Sequence, residues 1–190
     1  MINAKKVISN NLLDVDSNLN IIYQLLDELR QIQPLVLTAS DQNSGQTVGA
    51  NSAYNAITFS NTRTSNFDTD YFKLDSDGTI ILNNTIVPHI FITLCLQLNS
   101  PASAIGKALY LSVAFAYGEE DTYYEQSAYR VITPLTAINS EKREIVNYST
   151  YVNIPNGVTR VKVYAATSNT DAIPITKAFL RVERTPSYAQ

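Results

Sequence analysis

Cysteine is almost missing from this chain: Cys95 stands alone among 190 residues. No internal disulfide can form, so stability has to come from a core and from association between copies. Tryptophan is absent and His89 is the single histidine, which excludes metal sites built on several histidines and paired-histidine catalysis. Charged residues make up only 16%, against about 25% in an ordinary domain; asparagine, serine and threonine supply the remaining polarity. The net charge is −3 and no basic cluster stands out, so nucleic acid has no electrostatic footprint here. No run of about 20 apolar residues exists to enter a membrane. Two lysines, then Asn10, Asn11 and Asp14, interrupt any signal-peptide apolar region, which predicts assembly in a host cytoplasm. Nor is there a Gly-rich phosphate loop or a Gly-x-Ser-x-Gly elbow. The expectation is a non-enzyme with no cofactor and no metal.

What is present is a globular amount of apolar surface, 45%, arranged in two periods. The first runs through Ile8, Leu12, Val15, Leu19, Ile22, Leu26 and Leu29. The steps alternate four and three, the seam of a left-handed coiled coil. Leucine fills one core position and mostly β-branched residues fill the other, a combination that disfavours two strands and leaves three or four open. Asn10, Asn11, Asp14, Asp16, Ser17, Asn18 and Asn20 are weak helix formers, so such a helix needs partners. The rival reading packs it on its own β domain. Pro34 ends the segment, dividing the chain into a helical anchor over 1–33 and a β head over 34–190.

Beyond Pro34 the period drops to two. In HIFITLCLQL, residues Ile90, Ile92, Leu94, Leu96 and Leu98 share one face. In KALYLSVAFAYG, Leu109, Leu111, Val113, Phe115 and Tyr117 do the same. The second faces are semi-apolar, as expected of a sheet that meets another sheet or another subunit. Cys95 reads as a buried, inert thiol in mid-strand, and His89 as structural. The loop NSPASAIG predicts that these two strands are antiparallel neighbours. Shorter runs at 35–40, 56–60, 71–75, 79–82, 129–133, 144–152, 160–167 and 176–184 complete about ten strands. The Asp-Gly of LDSDGTI predicts a hairpin from Tyr71 to Leu82, and IPNGV predicts a turn. NTRTSNFDTD, 61–70, reads as an exposed loop or crossing segment. The fold class is mainly β: an N-terminal coiled-coil helix followed by an antiparallel jelly-roll sandwich.

The run DYFKLDSDGTIIL, then a long alternating strand, then KALYLSVAFAYG resembles the jelly-roll domains of the tumour necrosis factor and complement globular-head superfamily over about residues 67–184. In place of the Gly-x-Tyr that often enters the family's central strand stands His89-Ile90-Phe91. The resemblance implies a homotrimer, often carried on a stalk. The whole layout also resembles bacteriophage head fibres, spikes and receptor-binding proteins: a short helical anchor, a Thr/Asn/Ser-rich β head, few cysteines and no secretory signal.

The loop YGEEDTYYEQ is the best local candidate for a ligand or interface. It gathers Tyr117, Glu119, Glu120, Asp121, Tyr123 and Tyr124. Its carboxylates match no calcium spacing and read first as a solvated turn. Its tyrosines suit a subunit contact or a sugar, since each offers a flat apolar body with a polar tip. The expected function is a trimeric virion protein, a head fibre or spike on the virion surface. Its helix would join a capsid or tail protein, and its head would decorate the capsid or attach to the host, where a cell-surface glycan is one candidate partner. The alternatives are a carbohydrate-binding module and a tail receptor-binding protein. Head or tail position and the receptor's identity stay open.

Overall fold

The computed structural model of the protein describes residues 19–26, 36–42, 45–65, 72–75, 77–84, 87–136 and 144–184, with the side chains of 61–65 excluded. The chain divides into two compact units, residues 35–185 and the remainder. In the second of these, residues 19–26 form a helix (α1). Ile8, Leu12, Val15 and Leu29 of the predicted seam lie outside the described residues. Leu19, Ile22 and Leu26 lie within α1, and all three are exposed, at 43%, 39% and 45%. No helix among the described residues is long and apolar enough to cross a membrane.

The larger unit is an antiparallel sandwich of two six-stranded sheets. Sheet one has the order β10-β7-β12-β1-β4, with β2 paired to β12. These are Glu144–Asn153, His89–Leu98, Ile173–Arg184, Val36–Gln42, Asn61–Ser65 and Thr47–Val48. Sheet two has the order β5-β6-β11-β8-β9, with β3 paired to β11. These are Phe72–Leu74, Ile80–Leu82, Val158–Thr167, Ala108–Tyr117, Tyr124–Pro134 and Asn55–Ala56. Successive strands mostly change sheet, which is the jelly-roll habit; among the described residues only β5–β6 and β8–β9 are local hairpins.

Strict alternation puts one face of each strand in the core. Ile90, Ile92, Leu94, Leu96 and Leu98 of β7 are all fully buried, and Leu109, Leu111, Val113 and Phe115 of β8 face them from the other sheet. Ile80, Val161, Val163, Leu180 and Val182 fill the layer between. The predicted Asp-Gly turn forms: Gly78 sits at φ +84° and donates to the Asp75 carbonyl at 3.0 Å. A β-carbon there would stand 2.6 Å from the Ile57 carbonyl oxygen, so glycine is required. The Pro155-Asn156-Gly157 turn also forms, with Gly157 at φ +84°.

Three expectations are corrected. β7 and β8 are not neighbours: β7 lies between β10 and β12 in sheet one, while β8 lies between β11 and β9 in sheet two. The connection of residues 99–107 is long enough to cross the roughly 10 Å between sheets, and no local signal says whether it turns back or crosses. The segment 61–70 is not wholly irregular, because Asn61–Ser65 pairs with β1. The run 56–60 contributes only Asn55–Ala56 as a strand.

Candidate interaction surfaces

The outward face of sheet one is built by the half of each strand that alternation turns away from the core. Register lines these residues into rows across four strands. One row holds Asn147, Cys95, Phe179 and Ser40; the next holds Ser149, Thr93, Arg181 and Thr38; another holds Tyr151, Phe91, Glu183 and Val36; the last holds Ile145, Gln97, Lys177 and Gln42. Phe179 is 42% exposed, Ile145 64% and Tyr151 47%. Ile145, Cys95 and Phe179, with Gln97 and Lys177, line an open groove of about 440 Å³. Large apolar side chains thus stand in water on a broad, weakly charged sheet, the mark of a surface that meets another one. Cys95 belongs to this face: it is half-buried and lines the groove rather than the core, which corrects its reading as a buried thiol. His89, at the head of β7, stacks on Tyr151, with ring centroids 5.5 Å apart.

The outward face of sheet two is different. Along β8 it carries Ser112, Ala114 and Ala116, and these are buried although they point away from the core. Longer side chains lie over them. Glu125 accepts from the Ser112 hydroxyl at 2.7 Å and from both Nε and Nη2 of Arg130, at 3.0 and 2.6 Å. The Arg130 guanidinium in turn lies 5.7 Å over the Tyr54 ring. Lys162 pairs with Asp77 at 2.9 Å and sits 4.7 Å over the Tyr123 ring, which is tilted against Tyr164. The Arg130 hydrogen bond holds the Glu125 carboxyl below its ordinary range. Burial pushes the phenols of Tyr54 and Tyr164 up. Burial would also raise the Asp77 carboxyl, but hydrogen bonds from Lys162 and Thr79 outweigh it and bring the carboxyl down. The charges and rings named here are thus paired with one another, while the edge strand β9 keeps Tyr124, Val131 and Ile132 exposed, at 50%, 41% and 60%.

The loop after β8 does not act as one cluster. Glu119, Glu120 and Asp121 are exposed. Arg160 holds the loop by pairing with Asp121 at 2.8 Å and donating to the carbonyls of Gly118 and Glu120. Tyr123 turns onto sheet two, and Tyr124 meets Tyr117 at 6.3 Å. Of the candidate residues, the carboxylates stay in solvent and the tyrosines serve local packing. Among the described residues no three of histidine, cysteine, aspartate and glutamate are grouped to hold a metal. Phe179, Ile145 and Tyr151 are the surface residues that sequence reading missed. Their signal was present in the alternation of TKAFLRVER and EIVNYSTYV, where each is the large apolar residue on the face opposite the core.

No family model and no curated protein matches the chain. Solved structures do. Eiger TNF from S. frugiperda superposes with a TM-score of 0.50 at 6% identity, covering 83% of this chain and 97% of that one. PRD1 vertex protein P5 gives 0.48 at 20% identity over 80% and 72%, and murine APRIL 0.48 at 8% over 80% and 99%. At these identities the likeness establishes the fold alone: the larger unit is a TNF-like β sandwich.

Proposed function

We propose that the protein is a structural virion component, a homotrimeric head fibre or spike whose helical segment joins it to a capsid or tail protein and whose sandwich is displayed in several copies. The observation that carries the reading is the unequal clothing of the two sheets. Tyrosines and ion pairs cover the middle of sheet two, whose exposed apolar residues Tyr124, Val131 and Ile132 lie on its edge strand β9, whereas sheet one leaves Phe179 and Cys95 uncovered on inner strands beside Ile145 and Tyr151 of β10. A second copy of the chain is the occupant that supplies matching apolar surface. The exposed Leu19, Ile22 and Leu26 of α1 support the same conclusion, since a seam waiting for neighbouring helices is exposed in one chain alone. The seam admits three or four strands, and the resemblance of the head favours three. Attachment to a host surface would then work by avidity: weak contacts, held together, act at a high effective concentration. The virion assignment itself rests on the layout of anchor, amide-rich head and scarce cysteine. No catalytic step forms part of this reading.

Light scattering on the full chain tests it. A trimer that dissociates when Leu19 and Leu26 become Asp supports the anchor. A monomer at high concentration overturns it. Electron microscopy of particles carrying the protein decides whether it sits on the virion.

A further inference from the structure

Among the described residues of the sandwich, the exposed large hydrophobics fall into two groups and a remainder. Phe179, Ile145 and Tyr151 lie on the outward face of sheet one; Tyr124, Val131 and Ile132 lie on β9; Ile105 stands by itself in the β7–β8 connection. The β9 group has an unusual cause. Val131 pairs with Leu111 and Tyr124 with Phe115, so both belong to the face of sheet two that turns to the core. Leu111 and Phe115 are buried there, yet Val131 and Tyr124 remain in water. Ile132, opposite Tyr110, belongs to the outward face and is exposed as well. None of the eleven residues of β9 is buried. The strand therefore stands out from the edge of the sandwich as a fin with water on both faces. It also bulges: Leu111 pairs with Val131 and Val113 with Gln126, so residues 127–130 stand opposite Ser112 alone. Such a bulge re-aims an edge strand and discourages pairing with a further strand. What the fin offers a partner is its side chains rather than its backbone.

The two groups match in height along the strands. Thr136, just past β9, donates its amide to Glu144 at 2.7 Å. The Val131–Ile132 end of the fin is thus level with Ile145 and the groove beside it. At the other end β10 closes at Asn153, opposite His89, and turns into β11, whose Val158 pairs with Tyr117. Tyr124, tilted against Tyr117 at 6.3 Å, is thus level with Tyr151. A rotation about an axis along the strands preserves height. It would bring Val131 and Ile132 of one copy to the groove of another, and Tyr124 to Tyr151.

Symmetry selects the partner of each surface. Heads carried on one bundle of helices are related by rotation about the bundle axis. In such a ring of three or more, a surface away from the axis meets a different surface of its neighbour and never its own copy. The outward face of sheet one therefore needs a second apolar surface on the same chain, and Ile105 alone does not make one. We propose that β9 of each copy docks on sheet one of the next, with Val131 and Ile132 in the groove lined by Cys95, Ile145 and Phe179 and with Tyr124 against Tyr151. The inference rests on the homotrimer reading above and deepens it. Each copy gives one fin and receives one, so three like contacts close the ring and neither apolar surface stays in water.

Cys95, the one cysteine of the chain, makes the contact testable. The full chain is treated with a short bismaleimide and run on a denaturing gel. The reagent adds one thiol to each of its two double bonds and so joins two cysteines as thioethers. Ile132→Cys should give covalent dimers and trimers, because its new thiol lies beside Cys95 of the next copy. Adding Cys95→Ser to that variant should reduce them tenfold or more. Val131→Cys should give the same ladder, and it stands in if Ile132→Cys loosens the ring. Asp75→Cys, exposed beside β5 at the opposite edge of sheet two, should give none. Absence of the ladder in both fin variants overturns the proposal. So does a ladder that survives Cys95→Ser, since fin would then meet fin, and so does joining of the unsubstituted chain, since Cys95 would then face its own copy. The homotrimer reading fails separately: a monomer by light scattering sinks both, whereas a trimer without the ladder sinks only the docking of β9.

Discussion

The Tyr148 hydroxyl donates to the backbone carbonyl of Tyr129 at 2.6 Å, and this bond ties the edge of one sheet to the edge of the other. Tyr129 completes the tie, because its own hydroxyl accepts from the Asn153 amide at 3.1 Å. Tyr148 is buried, and burial pushes its phenol up to about 12.

Removing that hydroxyl leaves the sandwich folded but looser at this edge. Tyr148→Phe is expected to cost about 1–2 kcal/mol, the loss of one buried hydrogen bond, read as a shift of the urea midpoint at pH 7.

The same group fixes an alkaline dependence. An acid whose folded-state pKa is raised contributes stability that is fully present below its unfolded value, near 10, and is lost as pH rises through about 12. Two units correspond to about 3 kcal/mol. Across pH 10 to 12 the wild type should therefore lose about that much more stability than Tyr148→Phe, in parallel urea titrations.

Cys95 reports on the uncovered face of sheet one. In the assembled protein its thiol should react slowly with a thiol reagent, because a neighbouring copy covers the groove. Phe179→Asp places a charge beside it and should yield monomers whose Cys95 reacts at least tenfold faster, with the circular dichroism of the sandwich unchanged. Equal rates in both proteins would show that nothing covers this face.

Asp41 is a carboxylate at the rim of the core, only 3% exposed, that accepts from Gln46 Nε2 and from the Ser60 hydroxyl, each at 2.7 Å. Asp41→Ala removes both of these hydrogen bonds from a buried site and should cost about 3 kcal/mol, measured by chemical denaturation. Asp41→Asn should cost less.

Gly49 has no room for a side chain. A β-carbon there would stand 1.7 Å from the Ala53 carbonyl oxygen. Gly49→Ala must push the 49–53 turn off Thr167 and should destabilise by more than about 1 kcal/mol. Amide exchange should rise first at Asn51 and Ser52.

Periodicity in the sequence was enough to locate most strands and to assign their core faces. Ile90 to Leu98 and Leu109 to Phe115 alternate so regularly that no other face could be buried, because a one-residue slip would turn the whole apolar set to water. The turns at Gly78 and Gly157 were legible for a similarly local reason: the chain there needs a positive φ. Pairing was not legible. β7 lies against β10 and β12, strands some fifty and eighty residues away in sequence, and only the packing of the complete core selects such partners. The same holds for the two outward faces. Ala114 and Cys95 both read as small residues on a second face, yet Ala114 is covered by side chains from distant segments and Cys95 is not. Exposure is decided by what the rest of the fold lays over a strand, and that information lies outside the strand itself.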